Sequence, residues 1–160
     1  MNDTSKLILQ SSLGAELSPK EAATLGSLMS ARDLTEGEFL ITEGAAADNS
    51  LHVLLEGKLE AVKHTGADGL ASLAILREGD LAGAPGFIDG ERHTVGLRAL
   101  CDSRVLSLQR EDFESVVDKN PQLVYKVMRA ITRSAYRIVH QMNHEVVELS
   151  NYIFKQHGRY

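Results

Sequence analysis

The stretch EGEFLITEG (Glu36–Gly44) decides the fold of this chain, together with LHVLLEGKLEAV (Leu51–Val62) and LREGDLAG (Leu76–Gly83). In all three, single glycines interrupt short apolar segments. Each glycine borders a segment of β character, at a point where the backbone has to turn sharply or approach another strand closely. This pattern predicts a series of short strands joined by tight turns.

The apolar segments recur at near-regular intervals from Ser30 to Gln109, and Gly, Asp and Asn residues separate them. Many short strands at such a spacing favour an antiparallel sandwich or barrel. Gly66-Ala67-Asp68-Gly69 is the predicted hairpin turn between two of the strands. The predicted strands are Phe39–Ile41, Leu51–Leu55, Leu59–Val62, Leu73–Leu76, Thr94–Leu100 and Val105–Leu108.

Helical patterns flank this region on both sides. Ser18 and Glu21 have the spacing of a capping box, and Pro19 suits the first position of a helix. After a short helix that begins at Arg110, Pro121 starts a much longer one that contains no further proline. We therefore expect an N-terminal tail (residues 1–14), a β domain with short flanking helices (residues 15–120) and a long C-terminal helix (residues 121–160).

The C-terminal helix carries an apolar stripe whose residues step by three and four. A helix of roughly 35 residues is about 50 Å long, so it extends beyond the edge of a small β domain. Because an apolar stripe of that length needs a partner surface, we expect an identical helix from a second chain to cover it and to form a homodimer. The predicted dimer contacts are Met128, Ile131, Ala135, Ile138, Met142 and Leu149.

A basic stripe occupies another face of the same helix. A solvated surface is the simplest interpretation, although such a stripe also suits an anionic ligand, an acidic partner or nucleic acid. His140 and His144 have the i, i+4 spacing of a metal-binding pair, but no third ligand accompanies them, so we assign no metal. The stripe consists of Lys126, Arg129, Arg133, Arg137, His140 and His144.

The composition narrows the classes of function. The 160 residues carry a formal net charge of −5 at pH 7 and a pI near 5.7, which favours neither nucleic acid nor an acidic membrane as a partner. No apolar run reaches the ~18–20 residues of a membrane span, and the N-terminus lacks the pattern of a secretory signal. Cys101 is the only cysteine, which excludes an internal disulfide. We expect a cytoplasmic protein.

The glycine framework resembles that of the cyclic nucleotide-binding domain family, the β-roll shared by cyclic-AMP receptor proteins, kinase regulatory subunits and gated channels. The resemblance covers about residues 15–135. It implies a mainly β fold with flanking helices, namely an antiparallel β-roll of the double-stranded β-helix or jelly-roll type, followed by a long C-terminal helix. It also implies a regulatory role without catalysis, with a cyclic nucleotide as the candidate ligand and no other cofactor.

The segment Gly79–Ala99 is similar to the family's ligand-binding segment, which reads G-D-x-F-G-E-x-A-L, a variable loop, and then R-[ST]-A-x-V-x-A. In the family, the glutamate accepts a hydrogen bond from the ribose 2′-hydroxyl and the arginine pairs with the cyclic phosphate. Here Ala84 stands at the glutamate position and His93 at the arginine position, while Arg92 lies on the opposite face of an extended chain. The candidate pocket residues are Gly83, Ala84, Pro85, Gly86, Phe87, Arg92, His93 and Thr94.

These two substitutions weaken the expected binding of cyclic AMP. The loss of both contacts removes on the order of 3–6 kcal/mol of binding free energy, or roughly two to four decades of affinity. A protonated His93 would still pair with a phosphate in mildly acidic solution. We therefore expect a dimeric sensor or regulatory module with weak or altered nucleotide specificity and an unknown protein partner. The alternative is an adaptor whose pocket binds no ligand.

Two other classes lack the residues that they need. A metal-dependent cupin enzyme needs clustered histidines, whereas His52, His64 and His93 lie singly on separate segments. A transcription factor of the cyclic-AMP receptor type continues into a helix-turn-helix domain, and this sequence ends at Tyr160, so we expect no direct binding to DNA. No nucleophile–base order or phosphate-loop motif indicates another enzyme.

Overall fold

The computed structural model describes residues 3–66 and 69–157. Within these residues the chain forms five helices and eight strands. The helices are α1 (Asp3–Gln10), α2 (Pro19–Ser27), α3 (Ala84–Asp89), α4 (Arg110–Glu114) and α5 (Pro121–His157). The strands are β1 (Met29–Leu34), β2 (Phe39–Ile41), β3 (Ser50–Glu56), β4 (Leu59–Thr65), β5 (Gly69–Leu76), β6 (Leu81–Ala82), β7 (Gly96–Ala99) and β8 (Ser103–Gln109).

The strands form two four-stranded sheets in which neighbouring strands are antiparallel. The first sheet has the strand order β1-β8-β3-β6, and the second has the order β2-β7-β4-β5. The two sheets share a core of apolar side chains. This arrangement, with the long C-terminal helix, is the antiparallel β-roll expected from the sequence. The shared core consists of Leu34, Leu40, Ile41, Leu54, Leu59, Ala61, Leu97, Ala99 and Val105.

A second core lies between the first sheet and the helices. Strand β3 is buried at six of its seven positions because its side chains alternate between the two cores. Leu51 and Val53 pack against the helices, whereas Leu54 lies between the sheets. The helices contribute Ile8, Leu25, Phe113, Leu123 and Val127 to this second core.

Residues 3–14 are folded, which corrects the tail expected over residues 1–14 as far as the structure describes it. Helix α1 packs against α2, and Ile8 and Leu13 are fully buried. An eight-residue helix is too short to be stable alone, so tertiary packing rather than local propensity maintains it. The capping box of α2 is confirmed: Ser18 Oγ accepts from the Glu21 N–H at 3.3 Å, and Glu21 Oε2 accepts from the Ser18 N–H at 2.7 Å.

All six predicted strands are present, and the sequence prediction missed two others. Strand β1 has three polar residues among its six and is exposed at four positions, and β6 has only two residues. Both are strands because of their neighbours, since β1 pairs with β8 and β6 pairs with β3. The predicted turn Gly66–Gly69 includes residues 67 and 68, which lie outside the described residues.

Helix α5 leaves the body of the domain after about four turns. Leu123, Val127 and Ile131 are buried in the helical core, and Ser134 is the last buried residue that the structure describes in this helix. Ile131 is only 3% exposed and Met128 packs against the same core, so these two predicted dimer contacts face their own domain. No helix in the described part of the chain, α5 included, is long and apolar enough to span a membrane.

The basic stripe of α5 contacts acidic residues of the same chain. Four of its six members form ion pairs with residues of the N-terminal region or of the turn before β6. The first part of the stripe is therefore an intramolecular contact rather than a fully solvated face. The pairs are Lys126–Glu21, Arg129–Glu16, Arg133–Glu16 and Arg137–Asp80.

Candidate ligand-binding site

The candidate segment begins where β6 pairs with β3, opposite His52 and Val53. Gly83 follows with a φ of +83°, a conformation that L side chains rarely adopt. A Cβ at this position would lie 2.5 Å from the Ser50 carbonyl oxygen and 3.2 Å from His52 Cδ2. A glycine is therefore required here both by the backbone angle and by the closeness of β3.

Helix α3 carries the next four candidate residues, and they point to different surroundings. Phe87 is 2% exposed and packs in the helical core, with its ring centroid 5.5 Å from that of Phe113. Ala84 packs against the same core. A Cβ on Gly86 would lie 3.1 Å from Ala47 Cβ and 3.4 Å from His93 Cε1. Phe87 thus anchors α3, while Gly86 allows the loop before β3 to lie close to α3.

His93 lies where the chain returns from α3 and is fastened to the loop that precedes β3. Its N–H donates to the Ala45 carbonyl at 3.2 Å, and its carbonyl accepts from the Gly44 N–H at 2.7 Å. The His93 side chain is 10% exposed. Arg92, in contrast, is exposed and donates to the Gly44 carbonyl at 3.2 Å. Of these two neighbouring side chains, only His93 is directed into the protein.

Asp48 and His52 complete the surroundings of His93, and sequence reasoning missed both as partners. Asp48 Oδ2 lies 3.6 Å from His52 Nε2, and Asp48 Oδ1 lies 3.9 Å from His93 Nε2. His52 is 4% exposed, and its Nδ1 lies 2.8 Å from Ser107 Oγ. One carboxylate therefore faces two imidazoles from different strands and loops. Asp48 and His52 are close in sequence, but His93 is distant from both, so no local signal indicates the complete cluster.

The charge of Asp48 is stabilised by its neighbours. The His52 imidazole and the N–H of Ser50 lower the pKa of Asp48 from 3.8 to about 2, against the opposing effect of partial burial. The Ser50 N–H donates to Asp48 Oδ1 at 3.1 Å, which also orients the carboxyl group. At neutral pH the centre of the candidate site therefore holds a fixed negative charge.

Arg110, at the start of α4, is a third residue of this site that the sequence analysis did not identify. Its Nη2 donates to the Gly86 carbonyl at 2.8 Å and also to Asn49 Oδ1. These contacts tie α4 to α3 and to the loop before β3. Arg110 Nε and His52 Nε2 are buried and have no hydrogen-bond partner among the described residues.

Two cavities of the described part of the chain lie elsewhere. One, of about 220 Å³, is lined by Phe39, Val62 and Gly96 among others, and the second, of about 230 Å³, adjoins α1 and the turn before β6. Neither is lined by Gly83, Gly86 or His93. No group of three or more His, Cys, Asp or Glu side chains among the described residues is arranged to hold a metal ion.

Known proteins resemble this chain in fold and, weakly, in sequence. The crystal structure of a cyclic nucleotide-binding domain from Methylobacillus flagellatus superposes with a TM-score of 0.83 at 20% identity, over 90% of this chain and 83% of that one. Neuropathy target esterase sws of Drosophila virilis is 25% identical over 152 residues, which are 89% of this chain and 10% of that protein.

An uncharacterised NTE family protein of Mycobacterium bovis is 27% identical over 119 residues, or 74% of this chain and 20% of the relative. The chain thus spans a tenth to a fifth of the length of these curated relatives. The cyclic nucleotide-binding domain family matches residues 31–120, which include strands β2 to β8, most of β1 and the whole candidate segment. The chain therefore belongs to the cyclic nucleotide-binding domain family.

Proposed function

We propose that this chain is a non-catalytic regulatory module that senses a nucleotide-like ligand, has a weak affinity for cyclic AMP and dimerises through α5. One observation carries the proposal: His93, which faces a carboxylate, stands where the resemblance places a phosphate-binding arginine. We assign no esterase activity, because the esterase relative is ten times longer and the similarity coincides with a binding domain.

The weak affinity follows from the substitutions at Ala84 and His93. The neighbouring arginines, Arg92 and Arg110, are engaged by other groups and do not replace the missing phosphate contact. The Ala84 methyl group accepts no hydrogen bond from a ribose. Arg92 is turned towards the Gly44 carbonyl, and Arg110 is engaged by Gly86 and Asn49. A phosphate at this site would lack the charge-assisted pair that is worth about 1.5–3 kcal/mol.

The dimer proposal is supported by the exposed half of α5. Beyond Ser134 its apolar side chains step by three and four along one face, as in a coiled-coil seam. β-Branched residues alternate there with Met or Leu, the pattern that favours two parallel strands. Of the sequence-predicted contacts, Met142 and Leu149 lie on this seam, Ala135 lies one step before it and Ile138 lies beside it. The seam consists of Val139, Met142, Val146, Leu149 and Ile153, all at least 47% exposed.

The second candidate function is that of an adaptor without a ligand. The position of the cavities favours it, because neither of the two described above is lined by Gly83, Gly86 or His93. In that case the module would act only through its surfaces, and the seam of α5 would serve to assemble it with partners.

Restoration of the two family residues distinguishes the sensor from the adaptor. In Ala84→Glu/His93→Arg, we expect the affinity for cyclic AMP to rise by about two decades or more, because both charge-assisted contacts return. Calorimetry and thermal shift with cyclic AMP and cyclic GMP measure the effect, with Arg92→His as a control for the adjacent exposed position. A folded double variant that binds neither nucleotide would favour the adaptor.

A further inference from the structure

The outer face of the second sheet carries a cavity that the proposed function does not use. Ala61 and Leu97 pair in the core between the sheets, so the next pair, Val62 and Gly96, faces outwards. Val62 is nevertheless only 2% exposed, although it belongs to neither apolar core of the described residues. A Cβ on Gly96 would lie 3.2 Å from Phe39 Cε1 and 3.3 Å from Val62 Cγ2. Because Gly96 has no side chain, the Phe39 ring approaches the sheet, and a cavity of about 220 Å³ lies beside it.

The polar part of the cavity wall consists of Thr42, Glu43 and His64. Glu43 Oε2 accepts from the His64 backbone N–H at 2.8 Å and from the His64 imidazole Nδ1 at 2.7 Å. Both contacts lower the pKa of Glu43, so its carboxylate is ionised at neutral pH. No hydrogen bond to the other oxygen, Oε1, is formed by the residues that the structure describes. The cavity is therefore bordered by a carboxylate that has one oxygen available.

The cationic side chains around the cavity do not neutralise this carboxylate. Lys63 adds to the lowering of the pKa of Glu43, but its side chain leaves the opposite face of β4 from that of His64. Arg98 lies opposite Phe39 in the pairing of β2 and β7, and its charge is balanced by Glu60 at 2.7 Å. While His64 is neutral, the cavity is thus a negatively charged one with an apolar floor.

This combination of groups selects one kind of ligand. An aromatic ring and a carboxylate both attract a cation, whereas an anion would meet the like charge of Glu43. A guanidinium pairs best with two oxygens of a carboxylate, and His64 already occupies one of them. An ammonium group needs only one, since it acts as a point charge. Its carbon chain would lie against Phe39 and Val62.

We propose that this cavity binds an alkylammonium group, with Glu43 as its counter-charge and with Phe39 and Val62 in contact with its carbon chain. The site is separate from the candidate segment at α3 and does not depend on the proposed function. A free small amine and the lysine side chain of a partner protein share this chemistry, and the experiment distinguishes the two.

Butylammonium and 1-butanol are suitable probes, because they share a four-carbon chain and differ in the charge of the head group. We expect butylammonium to bind at least tenfold more tightly at pH 7.5 and to shift the amide NMR signals of Gly96 and His64. Glu43→Gln, which keeps an acceptor for the His64 N–H, should lower this preference at least fivefold. Glu148→Gln is the matched control, since Glu148 also faces a histidine, His144, but lies on α5.

Phe39→Leu is a second variant, because it removes the ring and keeps an apolar side chain of moderate size. It should weaken the binding of butylammonium severalfold and that of 1-butanol less. Melting curves establish that each variant is folded, and Phe39→Leu decides the question if Glu43→Gln is not.

A peptide with a single lysine, acetyl-Gly-Lys-Gly-amide, identifies the source of the ammonium group. Tighter binding of this peptide than of butylammonium would indicate a partner's lysine, and weaker binding a free amine. The inference is overturned if neither amine binds, if 1-butanol binds as tightly as butylammonium, or if the shifted signals exclude Gly96 and His64. Equal effects of Glu43→Gln and Glu148→Gln, or an unchanged affinity in Phe39→Leu, would overturn it as well.

Discussion

A histidine at position 93, where the family pattern has an arginine, affects more than the contact with a phosphate. The His93 imidazole is smaller than a guanidinium and faces the Asp48 carboxylate, and backbone hydrogen bonds to Gly44 and Ala45 join His93 to the loop that carries Asp48. The affinity of this site therefore depends on residues outside the segment that the family pattern describes.

At the residue scale, Gly57 tests how strictly the glycine framework is required. It has a φ of +93°, and an added Cβ would lie 2.3 Å from Ser103 Oγ and 2.8 Å from the Asp102 carbonyl oxygen. We expect Gly57→Ala to lower the free energy of unfolding by roughly 1–3 kcal/mol from backbone strain alone, with the clash in addition. Urea denaturation measures the loss.

Gly37→Ala is the matched control for this prediction. Gly37 has a similar φ of +84°, but nothing lies within 4 Å of an added Cβ. The Gly37→Ala variant should therefore have the backbone strain without the clash, and its free energy of unfolding should fall less than that of Gly57→Ala. Equal losses would mean that contacts at Gly57 contribute nothing.

At the scale of elements, the capping box of α2 stabilises its own helix, and its Glu21 also contacts α5. Ser18 caps α2, and Glu21 both completes the box and pairs with Lys126 of α5 at 2.8 Å. We expect Ser18→Ala to lower the free energy of unfolding by about 1 kcal/mol, which corresponds to a fall of roughly 2–4 °C in the melting temperature. Differential scanning calorimetry measures it, and Ser27→Ala, at the other end of the helix, is the control.

The pH dependence of stability should reflect Glu21. Hydrogen bonds from Lys126 and from the Ser18 N–H lower its pKa from 4.5 to about 2. Because the folded-state pKa lies below the unfolded-state value, this stabilisation is complete above about pH 4.5 and is lost as the pH falls towards 2. The free energy of unfolding of Glu21→Gln should therefore depend less on pH than that of the wild type between about pH 4.5 and 2. Melting curves at several acidic pH values give the comparison, and identical slopes would contradict it.

At the scale of the whole molecule, the exposed half of α5 should determine the oligomeric state. We expect Val146→Glu to convert the proposed dimer into a monomer of 17.5 kDa, because a carboxylate in an apolar seam is buried without a partner. Light scattering after size-exclusion chromatography measures the mass. Val147→Glu introduces the same charge beside the seam and should remain dimeric, since residue 147 lies on another face. A monomeric wild type would remove the dimer from the proposal.

The sequence by itself determined the features that depend on neighbours along the chain. The glycines and short apolar runs predicted six strands in an antiparallel sandwich or barrel, because turns need particular backbone angles and buried strands need apolar side chains, and the resemblance to the family implied the β-roll. The spacing of Ser18, Pro19 and Glu21 predicted the start of α2 for the same local reason. The substitutions at Ala84 and His93 were also visible, since the family pattern assigns these positions directly.

Only the tertiary structure decided the contacts between distant segments. The register of β3 and the path of the loop before it bring Asp48 and His52 to His93, and no spacing in the chain encodes that distance. Packing placed Ile131 in the core of its own domain and left Val146 exposed. The sequence could not distinguish the two, because an apolar stripe does not show which surface covers each turn of the helix. Strand β1 and helix α1 exist for the same reason, since pairing and burial, rather than local preference, stabilise them.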